Sequence, residues 1–291
     1  MDDIEVFCNN TQDASLLDNL SYEIKQFFIL VSKYVVETGK GFIDIAEIVL
    51  NRLDIKGNVT IARLGGRGKT WPDAPVGFKN INVTSGSANK AGPYSMKQVS
   101  PMYLGPVDKD VWPIIGDKEA KVFENYWQYS KIFPDMKPVH IDSDGNVTEA
   151  WKKWREKGFG GIKGERHPAG TKTNEVMYVD DKGRRWFRYK RAIGSKFGDE
   201  YMGYIESRKK VYVPLYYNLL IRTNAFKFLK EEVKQGKNVQ ILDFDAPPTT
   251  ELINVEMLRK NINEESPYGK PFGHGYIIAA ALLDIRPEDY I

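Results

Sequence analysis

The sequence predicts an α+β protein, predominantly helical with a small β-sheet. Apolar residues keep a helical period over long stretches, as do Leu16, Leu20, Ile24, Phe27, Phe28, Val31 and Val35 within Ser15–Gly39. Three short strand-like runs stand apart from the helices, near residues 60, 83 and 241. Hydrophobic residues make up 42 % and charged residues 28 % of the 291 positions, enough apolar surface to bury a real core.

The helix at Ser15–Gly39 ends at Gly39 and Gly41, and Phe42–Leu53 repeats the pattern until Gly57 stops it. Asn58–Leu64 alternates and is β-branched, so it predicts a strand. The loop that follows, LGGRGKTWPDAPVG, lacks the four residues that a Walker A motif places between its first Gly and the Gly-Lys pair. Phosphate-loop chemistry is therefore excluded, leaving Arg63, Arg67 and Lys69 as candidate anion contacts. Asn80–Ser85 predicts a short strand. Gln98–Val107 is turn-rich and offers the hydroxyls of Ser100 and Tyr103 beside Pro101, although an ordinary connecting loop has the same composition.

Asp117–Phe133 carries the densest chemistry. Val122, Tyr126, Tyr129 and Phe133 form one apolar stripe, while Glu124, Trp127, Gln128 and Lys131 fall at i, i+3, i+4 and i+7 on the other face. A solvated surface helix would show the same pattern, but an indole in the middle of a wet face argues for a binding wall. Val147–Lys157 predicts a helix with Trp151 and Trp154 three residues apart.

Residues 158–198 are basic, glycine-rich and aromatic. Glu175–Val179 and Arg184–Lys190 predict a hairpin turning at Asp181-Lys182-Gly183. Arg184, Arg185, Arg188, Lys190 and Arg191, interleaved with Trp186, Phe187 and Tyr189, form the strongest nucleic-acid signal in the chain. A charged edge strand that blocks aggregation is the competing reading.

Asp199–Leu229 is helical, with Tyr204, Arg208, Tyr212 and Tyr216 at steps of four and Pro214 expected to kink or split it. Phe226–Gln235 continues as a helix. Asn238–Asp245 predicts a buried strand ending in Asp243 and Asp245, a favoured functional position in proteins with parallel sheets. Leu252–Ile262 is amphipathic. Lys270, Gly273, His274 and Gly275 then precede an apolar helix, whose exposed amides would favour an anion; a satisfied structural histidine is the plainer account of His274.

The net charge of +3 is too small to imply nucleic acid by itself. Cys8 is the single cysteine, which excludes an internal disulfide framework and fits a reducing compartment. No apolar run approaches a membrane span, and MDDIEVF lacks a basic and an apolar leader region, so the expectation is a cytoplasmic protein without membrane partners. The three histidines, His140, His167 and His274, have no metal-ligand spacing, and neither a metal nor a cofactor is expected.

In order and content these segments resemble the NADAR-type N-glycosidases, a family linked to NAD and ADP-ribose. The resemblance rests on Ser100-Pro101-Met102-Tyr103, the Glu124/Trp127/Gln128/Lys131 helix, Arg208, Phe226–Leu229, Asp243–Asp245, and the turn Lys270-Pro271-Phe272-Gly273-His274, and covers roughly 82–286. The chain departs from the pattern in three places. Asn125 follows the glutamate where members often have histidine, LDFDAPP lacks the usual Trp-Gly, and the basic hairpin is an insertion. The chain is also similar to proteins carried by large phages, which implies the host cytoplasm.

The resemblance implies a helical extension over 1–80 and a NADAR-like catalytic domain over 81–291, with the insertion at about 158–198. It implies cleavage of an N-glycosidic bond in an ADP-ribosylated nucleobase or related nucleotide. Glu124 would stabilise the oxocarbenium-like transition state, and Lys131 would form a Schiff base or hold a phosphate. Ser100 and Gln128 belong to the implied substrate site. Trp127 and Tyr103 would stack on a base, Arg208 and the turn at Lys270, Gly273 and His274 would bind the diphosphate, and Asp243 and Asp245 would face the ribose. Two alternatives remain: a non-catalytic nucleic-acid-binding protein using Arg184, Arg185, Trp186 and Arg188, and a transferase that modifies viral DNA bases.

Overall fold

The computed structural model describes residues 22–39, 41, 56–65, 71–84, 89–112, 117–133, 139–166, 168, 176–179, 185–188 and 192–291. The chain divides into two compact units, one of Met1–Gly57 with Lys234–Gly236 and one of Asn58–Val233 with Lys237–Ile291. In the first, helix α1 (Tyr22–Thr38) buries Val31 against Leu30, Tyr34 and Val35, and Gly39 follows with φ +65°. The predicted start of that helix and the whole of Phe42–Leu53 lie outside the described residues.

The second unit begins with β1 (Val59–Arg63), β2 (Phe78–Asn82), β3 (Lys90–Ala91) and β4 (Tyr94–Ser95). Helix α2 (Phe123–Tyr129), β5 (Lys131–Ile132) and α3 (Glu149–Phe159) follow, then β6 (Val176–Val179), β7 (Arg185–Arg188), β8 (Gly194–Phe197) and β9 (Glu200–Met202). The last third holds α4 (Tyr204–Ser207), a π-helical segment (Arg208–Tyr212), α5 (Val213–Leu220), α6 (Asn224–Lys234), β10 (Asn238–Asp243), β11 (Glu251–Leu252), α7 (Val255–Asn263), α8 (His274–Leu282) and α9 (Pro287–Tyr290). Helix accounts for 41 % and strand for 17 % of the described residues, an α+β composition.

The main sheet has the order β11-β1-β10-β2. β1, β10 and the edge strand β2 run parallel, in a register that aligns Ile61, Ile241 and Ile81. Because β1 and β2 pair with β10, the boundary between the units falls at Gly57–Asn58, not at residue 80. β2 also begins earlier than predicted. Gly77, at φ +80°, turns the chain into it, and the Asn82 side chain closes it by accepting from the Thr84 amide (2.9 Å). Parallel strands are covered on their faces, which explains the apolar runs in β1 and β10. Helix α8 is buried along its whole length and packs on β1, β10 and α5, forming the core around Val59, Ile61, Val239, Ile241, Leu215 and Ile277.

Three helix expectations change, the first being Asp199–Leu229, where Glu200–Met202 is strand β9 and residues 221–223 separate α5 from α6. Asp117–Phe133 is helical only over Phe123–Tyr129, because Lys131 and Ile132 leave the helix to pair with Ser195 and Gly194 of β8. Pro214 does not split its helix. Proline brings no N–H, and just before it the hydrogen bonding shifts by one residue, so that Val213 N donates to Arg208 O across the π turn. The basic region is not one insertion either. β6 and β7 pair antiparallel as predicted, the turn expected at Asp181-Lys182-Gly183 lies outside the described residues, and β8 and the loop at 161–166 belong to the main body.

Candidate functional site

One cavity of about 320 Å³ opens at the carboxyl ends of the parallel strands, between α2, the π segment, the end of β10 and the start of α8. It gathers Glu124, Trp127, Gln128, Lys131, Arg208, Asp243, Asp245, Gly273 and His274 from the sequence-predicted set.

Helix α2 has no side-chain N-cap. Instead Phe123 N donates to Leu104 O (2.8 Å) and Glu124 N to Pro101 O (3.0 Å), so the turn at Ser100–Gly105 fixes where the helix starts. Glu124 and Trp127 are 7 % and 6 % exposed, which rules out a solvated polar face. Gln128 Nε2 donates to Glu124 Oε1 (2.8 Å) and Lys131 Nζ donates to Gln128 Oε1 (2.8 Å), a chain of contacts from amine to carboxylate. Lys131 also lies 5.3 Å from the centre of the Trp127 ring. Its carbonyl accepts from Trp151 Nε1 (3.1 Å) and its backbone pairs with β8, so the backbone from which the amine projects is fixed. Burial pulls the Lys131 amine down to about 8, against the pull of Glu124. Burial pushes the Glu124 carboxyl up, only partly offset by Gln128, Lys131 and more distant cations.

Behind the helix, Asp117 is buried but held in its charged form. Burial raises its pKa, and the bonds and charge of Arg155 outweigh that, leaving it lowered. Tyr126 Oη (3.0 Å) and Gly198 N (3.1 Å) donate to the same carboxylate, tying α2 to α3 and β8. Asn125 donates to the carbonyls of Gly161 (3.2 Å) and Lys163 (2.9 Å) and accepts from Glu165 N (2.8 Å). No neutral imidazole offers two donors and an acceptor at once. Asn125 thus pins the loop that brings Arg166 into the cavity.

On the opposite wall, Asp243 Oδ1 accepts from Phe244 N (2.7 Å) and Oδ2 from Gly275 N (2.9 Å), with His274 Nδ1 at 3.4 Å. His274 Nε2 donates to Val83 O (2.9 Å). A Cβ on Gly275 would stand 2.7 Å from Asp243 Cβ, and one on Gly273 2.8 Å from Asp245 Cβ, so only glycine fits at either place. The predicted anion site at the start of α8 is thereby corrected: the anion it takes is Asp243 of the chain itself. Asp245 is the more open carboxylate, pushed up to about 6 by burial and then by the charge of Asp243.

Arg208 is likewise corrected. Its terminal nitrogens donate to the carbonyls of Ile262 (3.0 Å), Glu264 (2.6 Å) and Glu265 (3.1 Å), so it closes the end of α7 instead of offering a free fork to a diphosphate. Arg63 holds the carbonyls of Ala246 and Tyr268, again a structural role. Arg67 and Lys69 lie outside the described residues.

Three predicted site residues are not in this cavity. Ser100 is buried, and its hydroxyl accepts from Met102 N (3.3 Å). Tyr103 points elsewhere, 58 % exposed, and lines a separate cleft of about 460 Å³ with Gln98 and Arg222. Lys270 is exposed and outside the lining. Of the nucleic-acid candidates, Arg184 lies outside the described residues; Arg185, Trp186 and Arg188 lie on β7.

Sequence reasoning missed Arg166, Phe244 and Phe272 in the lining, and left Tyr204 and Tyr212 without a role. The step of four from Tyr204 through Arg208 to Tyr212 was the available signal for the last two. Tyr212 meets Trp127 edge-on at 4.9 Å, closing the aromatic wall. No family model matches the chain, and no curated protein or solved structure matches it. Among the described residues, no helix is long and apolar enough to cross a membrane.

Proposed function

We propose that the cavity is the active site of an N-glycosidase that hydrolyses the bond between a ribose and a nucleobase, the reaction implied by the resemblance to NADAR-type enzymes. The observation that carries this reading is the buried Glu124 joined through Gln128 to the amine of Lys131, facing Asp243 and Asp245 across one aromatic-walled cavity. An oxocarbenium-like transition state needs a carboxylate beside the sugar and a proton donor beside the leaving group. Glu124 supplies the first. Asp245, which titrates about 6, supplies the second near neutral pH.

The bond from the anomeric carbon to the base nitrogen breaks, and the base leaves with the proton of Asp245. The neutral amine of Lys131, brought down to about 8, bonds to the anomeric carbon as the base leaves. The C1′–O4′ bond then breaks, O4′ taking the proton the nitrogen gives up. The resulting Schiff base on the opened ribose is hydrolysed by water to the free sugar and the free amine. Trp127 is stacked on Phe197 and covered by Lys131, so the exposed ring of Phe244 in the lining offers its face to the base, with Trp127 and Tyr212 as the wall behind. An ADP-ribosylated nucleobase or related nucleotide is the substrate class implied by the resemblance.

The test is Glu124→Gln, which keeps size and hydrogen bonding and removes the charge. Base release should fall by about a hundredfold or more, with ligand binding near wild type. Wild-type turnover of every N-glycoside by that variant would end the enzyme reading. The second reading, nucleic-acid binding at the basic hairpin, is favoured by the antiparallel pairing of Val176–Val179 with Arg185–Arg188. A steep loss of DNA affinity with salt and no base release would support it.

A further inference from the structure

We propose that the cleft beside Tyr103 is a second binding site, which takes a nucleobase together with its phosphate. The site lies outside the catalytic cavity, and its occupation does not depend on base release. The cleft holds about 460 Å³, within the usual size of ligand pockets, roughly 300–1,000 Å³. Its floor is apolar, built from the buried side chains of Leu104, Val111 and Leu219. At its edge stands Tyr103, more than half exposed, with Lys97 Nζ 5.8 Å from the ring centre. A ring open to solvent with a cation beside it suits a stacked base: the π-face meets the base and the charge meets its phosphate.

The rest of the lining offers polar groups for the edge of a base. Gln98 Oε1 accepts from Ala225 N (3.0 Å), so its amide nitrogen serves as a donor. Arg222 is anchored by one terminal nitrogen on Asp110 O (2.8 Å) and keeps further N–H groups on the same guanidinium. Asp108 adds a carboxylate whose Oδ1 already accepts from the amides of Asp110 (3.0 Å) and Val111 (3.1 Å). Lys97 and Arg222 therefore outweigh Asp108, while the neighbouring Lys109 and Asp110 cancel.

The position of the cleft ties its occupant to the catalytic cavity. Pro101 lines the cavity and Tyr103 the cleft, and two residues span at most about 7 Å of chain. The turn between them is fixed: Tyr103 N and Leu104 N both donate to Ser100 O (2.9 and 3.0 Å). The same turn accepts from Phe123 N at Leu104 O (2.8 Å) and from Glu124 N at Pro101 O (3.0 Å). A base on Tyr103 comes from one of two sources, the neighbour of the target base in a strand or a free nucleotide bearing on the turn that seats Glu124. Both present the same chemistry to the cleft.

The experiment is photolabelling of the full chain with azidoadenosine monophosphate over a range of concentrations, with the labelled peptides read by mass spectrometry. Label should fall between Lys97 and Trp112. Its half-saturation should rise about five- to 150-fold in Tyr103→Ala, the range for removing one stacking ring. Tyr103→Phe keeps the ring and should stay near wild type. The side chain is exposed, so its removal leaves the core intact. A dinucleotide added as competitor separates the two sources. Competition stronger than that of adenosine monophosphate assigns the cleft to a neighbour in a strand, and competition no stronger assigns it to a free nucleotide. No label between Lys97 and Trp112, an unchanged half-saturation in Tyr103→Ala, or equal losses in the alanine and phenylalanine variants overturns the site. Absence of base release by the wild type removes the N-glycosidase reading and leaves the cleft standing, so the two failures are distinct.

Discussion

Replacing Asp245 by Asn should raise stability and lower activity together. Burial and the neighbouring Asp243 charge lift the Asp245 carboxyl from the ordinary 3.8 to about 6. Between those values the folded protein binds more protons than the unfolded chain, so wild-type stability falls as pH rises from about 4 to 6 and is level above that. At about 1.4 kcal/mol per pH unit, this interval costs about 3 kcal/mol by pH 7. Asparagine does not titrate and escapes the loss. Urea unfolding at pH 4, 5, 6 and 7 reads the effect directly. The variant should match wild type near pH 4 and exceed it by up to about 3 kcal/mol at pH 7. Base release should meanwhile fall by about a hundredfold or more, the scale of losing a general acid. A stability difference that stays flat from pH 4 to 7 would refute the account of Asp245, and undiminished base release would remove its catalytic role.

Three further outcomes follow from the same geometry. Borohydride should trap a covalent adduct with substrate in wild type but not in Lys131→Arg, and trapping should increase as pH climbs through about 8; intact turnover with no adduct leaves Lys131 as a binding group. Gly275→Ala places a methyl 2.7 Å from Asp243 Cβ, so the melting temperature should drop by the equivalent of about 1–3 kcal/mol, and an unchanged melting curve contradicts the packing. Replacing Arg185 and Arg188 together should weaken DNA binding and flatten its salt dependence while sparing nucleoside binding; unchanged DNA affinity makes the hairpin a charged edge.

The pattern that brought Glu124, Trp127 and Gln128 to one side was legible because residues at i, i+3 and i+4 share a side of a helical turn, whereas Lys131 reaches the same cavity from β5, outside the helix. The helix itself was not legible past Tyr129, since its end depends on pairing with Ser195, some 65 positions away. The three parallel strands could be located from β-branched runs, but their order in the sheet is set by contacts that no local pattern encodes. Tyr103 was misplaced for a related reason. The turn at Ser100–Gly105 spends its carbonyls on α2, presenting Pro101 to the cavity while Tyr103 lines another cleft. Arg208 was recognised as a site residue but not as the cap of α7, because the carbonyls it binds lie more than 50 residues later.

Three of the places where periodic reasoning failed border the cavity. Helix α2 stops after seven residues and hands Lys131 to a strand; the helix carrying Tyr204 and Tyr212 widens into a π turn before Pro214; and α8 starts on glycines because two aspartates press against it. Each departure sets a side chain that a regular element would have aimed elsewhere. Local conflicts with an element's own preference are expected at functional sites, where the surrounding structure must over-determine them. The bonds of Asn125 to the 161–165 loop and the Asp117–Arg155 pair do so for α2, and the seating of Asp243 on Gly275 does so for α8. A purely structural seam would need neither a buried glutamate linked to a lysine nor two aspartates forced together, since apolar residues of the same size would pack there at lower cost. The concentration of that cost around one cavity is the physical argument that this cavity is where the protein acts.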